Sequence, residues 1–191
     1  MQARTLAAKG ARSMAIVNDE SNMISRLIAT KVNEEKVHIM RAGGTMIIPA
    51  TTCTQPTQST KTAIFQKSFL GGTQLHIRED QSVEYTIDVA DSDTYLLSLQ
   101  ICNVHLNQQP LLLTAASDDN ETVDVLSIVV PYTVGAWQHT APVEMILTQG
   151  MNILTFTRET PNFGLTIKYL TLKPVNAKKK TIRVVVDNLS F

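Results

Sequence analysis

The sequence has little cysteine: Cys53 and Cys102 stand alone, without a Cys-x-x-Cys motif or a cluster of cysteine with histidine. This pattern gives no basis for a structural zinc site. The two cysteines could form a disulfide only if the fold brings their α-carbons within about 7 Å, and free buried thiols are the simpler expectation. A chain of 191 residues can bury a stable core without such cross-links.

Net charge is also lacking, because 17 basic residues balance 17 acidic ones. The chain therefore lacks the positive field of nonspecific nucleic-acid binders, and we expect no nucleic-acid partner. No apolar run approaches the roughly 18 residues of a membrane span, and the N-terminus lacks the apolar core of a signal peptide. We expect no membrane partner. Residues 6–10 resemble the end of a helix, which suggests an excised piece of a longer protein. The sequence does not show where the chain is located, and a secreted or periplasmic parent is one hypothesis.

The first 62 residues predict a small α/β segment followed by a polar linker. A short apolar strand over residues 13–17 leads into a capped turn at 18–21 and then a helix with one apolar face. The turn contains no glycine, which a nucleotide-binding turn would need. Residues 37–40 predict a further strand. Residues 51–62 are rich in threonine and glutamine, and mark either a domain boundary or a long surface loop.

From Ala63 the pattern changes to the two-residue period of half-buried strands, most clearly at Val83–Val89. Similar stretches recur at intervals of roughly 8–12 residues with turn residues between them, which is typical of a β-sandwich. The fold class is therefore mainly β, an antiparallel sandwich over residues 63–191 with an extra C-terminal strand at 181–186. The N-terminal segment occupies residues 1–62.

Four motifs in the sandwich occur in a recognisable order. They are the paired strands Val-x-Tyr-x-Ile-x-Val at 83–89 and Asp-Thr-Tyr-x-Leu at 93–97, the Pro-x-Thr-x-Gly-x-Trp-Gln strand and loop at 131–138, the Gly-x-Asn-Ile-Leu hairpin at 150–154, and the last strand near 165–170. Together, over about 110 residues, they resemble galactose-binding-like jelly rolls, in particular the carbohydrate-binding modules of families six and thirty-five. The resemblance implies a jelly-roll sandwich, a glycan partner and no catalytic role.

The resemblance also implies a sugar site in the loops at one end of the sandwich, where aromatic rings stack on sugar rings and amides bind hydroxyl groups. The usual ligand residues are largely substituted, because a second tryptophan is absent and the last strand has Thr-Ile-Lys at 166–168. Trp137 is either a stacking platform or a buried wedge that closes the sandwich. Tyr132 and Phe163 lie near it by analogy, and each is either part of the platform or part of the core.

An amide-rich loop follows the strand that begins near Thr94, and it is either a sugar-binding loop or an ordinary polar hairpin. Amide and imidazole groups both donate and accept hydrogen bonds, as sugar hydroxyls require. With the aromatic candidates, the ligand-binding residues that we predict are Trp137, His139, Tyr132, Asn103, His105, Asn107 and Gln108.

Metal and catalytic motifs are missing. Asp118, Asp119 and Glu121 offer oxygen ligands of the kind calcium takes, but their spacing is not that of a calcium loop, so a plain acidic turn is expected. His105 and His139 lack a third metal ligand. We therefore expect no cofactor, and a structural calcium ion is not indicated. No Gly-x-Ser-x-Gly, His-Glu-x-x-His or Cys-His signature appears, so we expect no enzyme.

The sequence supports three functional hypotheses in order. The first is a non-catalytic accessory module of a larger protein that binds a glycan weakly. The second is a purely structural or interaction domain that packs on a neighbouring domain. The third is a hydrolase whose site carries no recognised motif.

Overall fold

A computed structural model describes residues 36–69, 71–78, 81–117, 125–159 and 163–176. Its contacts divide the chain into two units, residues 1–37 and 38–191. The predictions of an N-terminal strand and helix, of an acidic turn at 118–121 and of a strand at 181–186 lie outside the described residues.

The described part of the second unit consists of strands and one short 3-10 helix. In chain order these are β1 (His38–Met40), β2 (Met46–Pro49), the 3-10 helix η1 (Ala50–Thr52), β3 (Ala63–Lys67), β4 (Thr73–Ile77), β5 (Val83–Val89), β6 (Asp93–Cys102), β7 (Leu111–Ser117), β8 (Val125–Ile128), β9 (Gln138–His139), β10 (Val143–Leu147), β11 (Gly150–Arg158) and β12 (Leu165–Pro174). Among the described residues, no helix is long and apolar enough to cross a membrane.

The strands form two sheets that enclose one apolar core. The five-stranded sheet has the order β1-β5-β11-β7-β8, and the seven-stranded sheet has the order β10-β6-β12-β4-β3, with β2 also pairing with β12 and β9 with β6. Buried and exposed residues alternate along the long strands, so that β5 buries Val83, Tyr85, Ile87 and Val89. This alternation confirms the predicted mainly β antiparallel sandwich.

Residues 38–62, which the sequence grouped with the N-terminal segment and linker, contribute to both sheets. β1 pairs in parallel with β5, and β2 pairs with β12. The polar stretch after them is also attached, because the backbone of Thr54 and Gln55 bonds to that of Glu84. β1 corresponds to the strand predicted at residues 37–40, but a local pattern does not show which sheet so short a strand joins, and β2 was not predicted.

Neither cysteine forms a disulfide, as expected, but only Cys53 is buried and Cys102 is half-buried. The buried Cys53 lies in the polar stretch and donates from its thiol to the carbonyl of Pro56, at 3.2 Å. Cys102 ends β6 and donates to the carbonyl of Gly135, also at 3.2 Å. Each thiol therefore contacts a different loop backbone.

Tyr85 connects the 3-10 helix η1 to the apolar core between the sheets. Its ring is buried in edge-to-face contact with Phe156, at 5.7 Å between centroids, and its hydroxyl donates to the carbonyl of Ala50 at 2.7 Å. Burial, with a smaller contribution from Cys53, raises the pKa of Tyr85 well above its usual value. The hydroxyl therefore remains a donor, and it fixes η1 against the five-stranded sheet.

We expect Tyr85→Phe to lower the free energy of unfolding by about 1–3 kcal/mol, because the buried Ala50 carbonyl loses its donor while the ring packing is kept. Urea denaturation followed by circular dichroism measures this difference. The half-exposed Tyr132 offers a matched control, and Tyr132→Phe should change the value by less than about 0.5 kcal/mol. Equal values for the two variants would show that the Tyr85 bond does not stabilise the fold.

Candidate functional site

Two loops at one end of the sandwich are tied together by Asn103. The backbone N–H of Asn103 donates to the Thr133 hydroxyl at 2.8 Å, and that hydroxyl donates back to the Asn103 carbonyl at 3.1 Å. The Asn103 amide nitrogen donates to the carbonyls of His105 and Pro131, and its oxygen accepts from the His105 N–H. Asn103 is only 1% exposed. It was predicted to contact ligand, but in the structure its amide holds the loops and positions His105.

His105 and Phe163 form a stacked pair at the mouth of these loops. Their ring centroids lie 4.7 Å apart with an angle of 18° between the planes. Gln108 fixes the phenylalanine, because its side-chain nitrogen donates to the Phe163 carbonyl and its oxygen accepts from the Phe163 N–H, each at 3.2 Å. Two residues predicted from the sequence, His105 and Gln108, are thus brought together with Phe163.

His76 lies beside this pair, on the solvent face of β4. Its Nδ1 is 2.9 Å from the Thr166 hydroxyl, a contact between residues far apart in the chain. A side chain at Gly164 would not fit, because its Cβ would lie 2.8 Å from Cε1 and 2.9 Å from Nε2 of His76. Burial lowers the pKa of His76, and the positive charges of Arg78 and Arg158 lower it further. The imidazole is therefore neutral at pH 7.

These side chains border a cleft of about 550 Å³. Its lining residues are Lys61, Thr62, His76, Arg78, His105 and Gly164. The volume is in the range of small-molecule sites. Two permanent cations and two imidazoles line it, and none of these described lining residues carries a carboxylate. Glu79 and Asp80 follow Arg78 in the sequence and lie outside the described residues.

Trp137 and His139 do not line the cleft. His139 belongs to β9, and Trp137 directly precedes that strand. Trp137 is partly buried, with the Lys168 ammonium 5.5 Å from its ring centroid. His139 is exposed and lies 5.7 Å from the Tyr169 ring. Lys168 and Tyr169 belong to β12. The structure therefore divides the predicted residues between a loop cleft and a sheet face.

The remaining predicted residues, Tyr132 and Asn107, are exposed in the two loops. Lys61, His76 and Arg78 form the basic side of the cleft and are not among the residues predicted from the sequence. The alternation of Gln74, His76 and Arg78 with the apolar residues of β4 is a signal that could have indicated a solvent face, but nothing in the sequence shows which loops approach them. Among the described residues, no group of three histidine, cysteine or acidic side chains is placed to hold a metal ion.

Neither a protein-family model nor a curated protein sequence matches the chain. Solved structures do match it. A family 35 carbohydrate-binding module from Clostridium thermocellum has a TM-score of 0.54 at 19% identity, covering 68% of this chain and 97% of that one. The C-terminal family 6 module of a laminarinase from Zobellia galactanivorans has a TM-score of 0.52 at 16% identity, covering 68% and 99%.

A third match is an isomalto-dextranase from Arthrobacter globiformis, solved with panose, at a TM-score of 0.55 and 19% identity. It covers 70% of this chain and 24% of the enzyme, so the similarity is confined to a part of that protein. At these identities the likeness establishes the fold. The described sandwich has the fold of carbohydrate-binding modules of families 6 and 35, which its sequence motifs resemble.

Proposed function

We propose that this domain is a non-catalytic accessory module that binds an acidic glycan in the cleft between Lys61, Arg78 and His105. The observation that carries the proposal is the concentration of cationic and imidazole groups in that cleft, next to a fixed aromatic pair. The fold, shared with carbohydrate-binding modules, supports a sugar as the ligand. The proposal assigns no chemical step to the cleft.

The charges of the cleft favour a sugar that carries a carboxylate or a sulfate ester. Of the described residues that line the cleft, Lys61 and Arg78 carry a positive charge and none carries a carboxylate, although the chain as a whole has no net charge. The guanidinium group of arginine offers a planar pair of donors that fits a carboxylate or sulfate, and lysine adds a point charge. Thr62 and His76 can bind neighbouring hydroxyl groups.

The aromatic pair supplies the apolar part of such a site. Phe163 is 43% exposed, and His105 stacks on one side of its ring. The C–H face of a sugar ring packs well on exposed aromatic carbon, and Gln108 keeps the Phe163 backbone in place before ligand arrives. A side chain that is ordered in advance loses less entropy on binding.

Exposed apolar residues favour a second candidate function, docking on a neighbouring domain. Val104, Leu106 and Val134 are 60%, 76% and 75% exposed in the two loops that border the cleft. Val134 also has a φ of 54°, which is unusual for a β-branched residue. Exposed apolar side chains grouped in this way are typical of interaction surfaces. A domain of this second kind would not bind free polysaccharide.

We expect Arg78→Ala and Lys61→Ala each to weaken binding to an acidic polysaccharide by about tenfold, because each removes a charge-assisted hydrogen bond. Affinity electrophoresis in gels containing polygalacturonate, a carrageenan or neutral xylan measures this. Lys67→Ala is the matched control, since Lys67 is an exposed lysine on β3 that does not line the cleft. Retardation of the control and wild type but not of the cleft variants supports the proposal. Absence of retardation in every gel would contradict it and favour the docking function.

Binding of a sulfated glycan should strengthen as the pH falls from about 7 to about 5, because His76 gains a proton below the usual histidine pKa while the sulfate keeps its charge. Lys61, Arg78 and Arg158 contribute constant charge, and His105 also faces the cleft. His76→Asn should therefore flatten the dependence. Titration calorimetry of both proteins at the two pH values measures the slopes, and equal slopes would exclude His76 as the proton acceptor.

The lowered pKa of His76 also makes the stability of the fold depend on pH, so the binding titration needs a measurement of folding at each pH. A histidine whose pKa is lowered on folding favours the neutral form in the folded state. Its contribution to stability is complete above pH 6.5 and is lost as the pH falls through the folded-state pKa. Circular dichroism at the lower pH confirms that the protein remains folded.

A further inference from the structure

The two sheets end in the edge strands β1 and β8, and β10 and β3, and three of these edges are protected. The loop before β3 covers its edge, because the N–H groups of Ala63 and Phe65 donate to the hydroxyls of Thr60 and Ser59 at 2.8 and 2.9 Å. β10 follows a proline and carries the exposed Glu144, and β1 is only three residues long. Covering loops, charges and short strands are the usual devices that prevent one edge from pairing with another.

The fourth edge strand, β8, has no such protection. From Val125 to Val130 the sequence contains no charged residue and no proline. Among the described residues, none forms a hydrogen bond with β8 except through its pairing with β7. Val125 and Val129 are 62% and 70% exposed, and Ser127 between them is exposed as well. The outer backbone of β8 is therefore an open edge bordered by apolar side chains.

The sequence of this edge has the same character in both directions, because residues 125–129 are Val-Leu-Ser-Ile-Val. In an antiparallel pair of two copies about a two-fold axis at Ser127, Val125 of each copy lies opposite Val129 of the other, and Leu126 lies opposite Ile128. The two faces also match, because side chains alternate along a strand and Ile128 is buried while both valines are exposed. A two-fold dimer requires a surface that is complementary to itself in this way.

The backbone favours the same register. Pairing about Ser127 joins residues of like parity, so that outward N–H and C=O groups of the two copies meet and form roughly four to six hydrogen bonds. A register shifted by one residue would turn the core face of the second copy toward solvent. A register shifted by two would bring into the pair either Pro131, which has no N–H, or the charged Asp124.

We propose that β8 is a dimerisation edge, and that its occupant is the β8 strand of a second copy of this chain, antiparallel about Ser127. The paired strands span roughly 17 Å and the sandwich edge is roughly 20 Å deep, so the dimer buries roughly 700 Å² in total, against the roughly 1,200 Å² of stable interfaces. The dimer should therefore be weak, with a Kd on the order of 10–100 μM. β8 does not line the cleft, so this inference does not rest on the proposed function.

Sedimentation velocity of the whole chain, from about 5 to about 500 μM, should show the wild type passing from monomer to dimer. Ser127→Lys should raise the Kd of the dimer by about tenfold or more, because two like charges meet at the axis. Gln66→Lys is the matched control, since it adds the same charge at an exposed position of the edge strand β3. This control should dimerise like the wild type, and circular dichroism checks that both variants fold.

Ser127→Cys tests the register directly with a side chain of nearly the same size. In the proposed pair the two Cα atoms at the axis lie about 4.5–5.5 Å apart, a distance that a disulfide can span. Mild oxidation should therefore produce a cross-linked dimer on a non-reducing gel. Gln66→Cys is the matched control, and the wild type gives the background from Cys53 and Cys102. Neither of these two proteins should cross-link.

Any of three results would overturn the proposal. They are a wild type that stays monomeric at every concentration, a folded Ser127→Lys variant that dimerises like the wild type, and a Ser127→Cys variant that does not cross-link. If another segment of the same chain occupies the edge, such as the strand predicted at residues 181–186, the wild type stays monomeric and Ser127→Lys lowers the melting temperature instead of the molar mass. If Ser127→Lys does not fold, the cross-linking of Ser127→Cys decides.

Discussion

The β-bulge in β12 sets the geometry of both surfaces on the seven-stranded sheet. Before it, Thr166 lies opposite Cys102, and after it Tyr169 lies opposite Gln100, so three steps along β12 match two along β6. The extra residue is Lys168, which reaches the Trp137 ring. A bulge of this kind redirects side chains at functional positions of sheets. Without it, Tyr169 would face the core and could not meet His139.

The bulge acts on a strand that has more partners than its neighbours. β12 pairs with β6 along its length, with β4 near its start and with β2 further along. Loops from distant parts of the sequence therefore meet at its beginning, where Gly164 leaves room for the His76 ring. Because the buried faces of both sheets are apolar, any recognition must use the loops, the sheet edges or the outer faces. The proposed cleft lies among the loops.

The sequence predicts the fold but only part of the candidate site, and the reasons are physical. Alternation predicts a strand such as β5 because one face is buried along seven residues. It cannot show whether a polar residue in a loop faces solvent or backbone, so Asn103 resembled a ligand amide although its groups bond to loop backbone. It also cannot show that His76 meets Thr166, since that contact depends on the register of β4 and β12. Local patterns contain no information about such pairings.

A chain with no net charge can still carry a local positive charge, as Lys61 and Arg78 do in the cleft. The extent of that charge bears on which class of anionic ligand the chain could bind. Nonspecific nucleic-acid binding requires positive charge over many phosphate spacings, which a neutral chain does not provide. A single carboxylate or sulfate requires only two or three donors at close range, which Lys61 and Arg78 can supply. Because screening by salt reduces interactions beyond roughly 8 Å, acidic residues farther than this from the cleft weaken the attraction little. The charges that line the cleft thus support an anionic sugar as its proposed ligand, on a protein with no net charge.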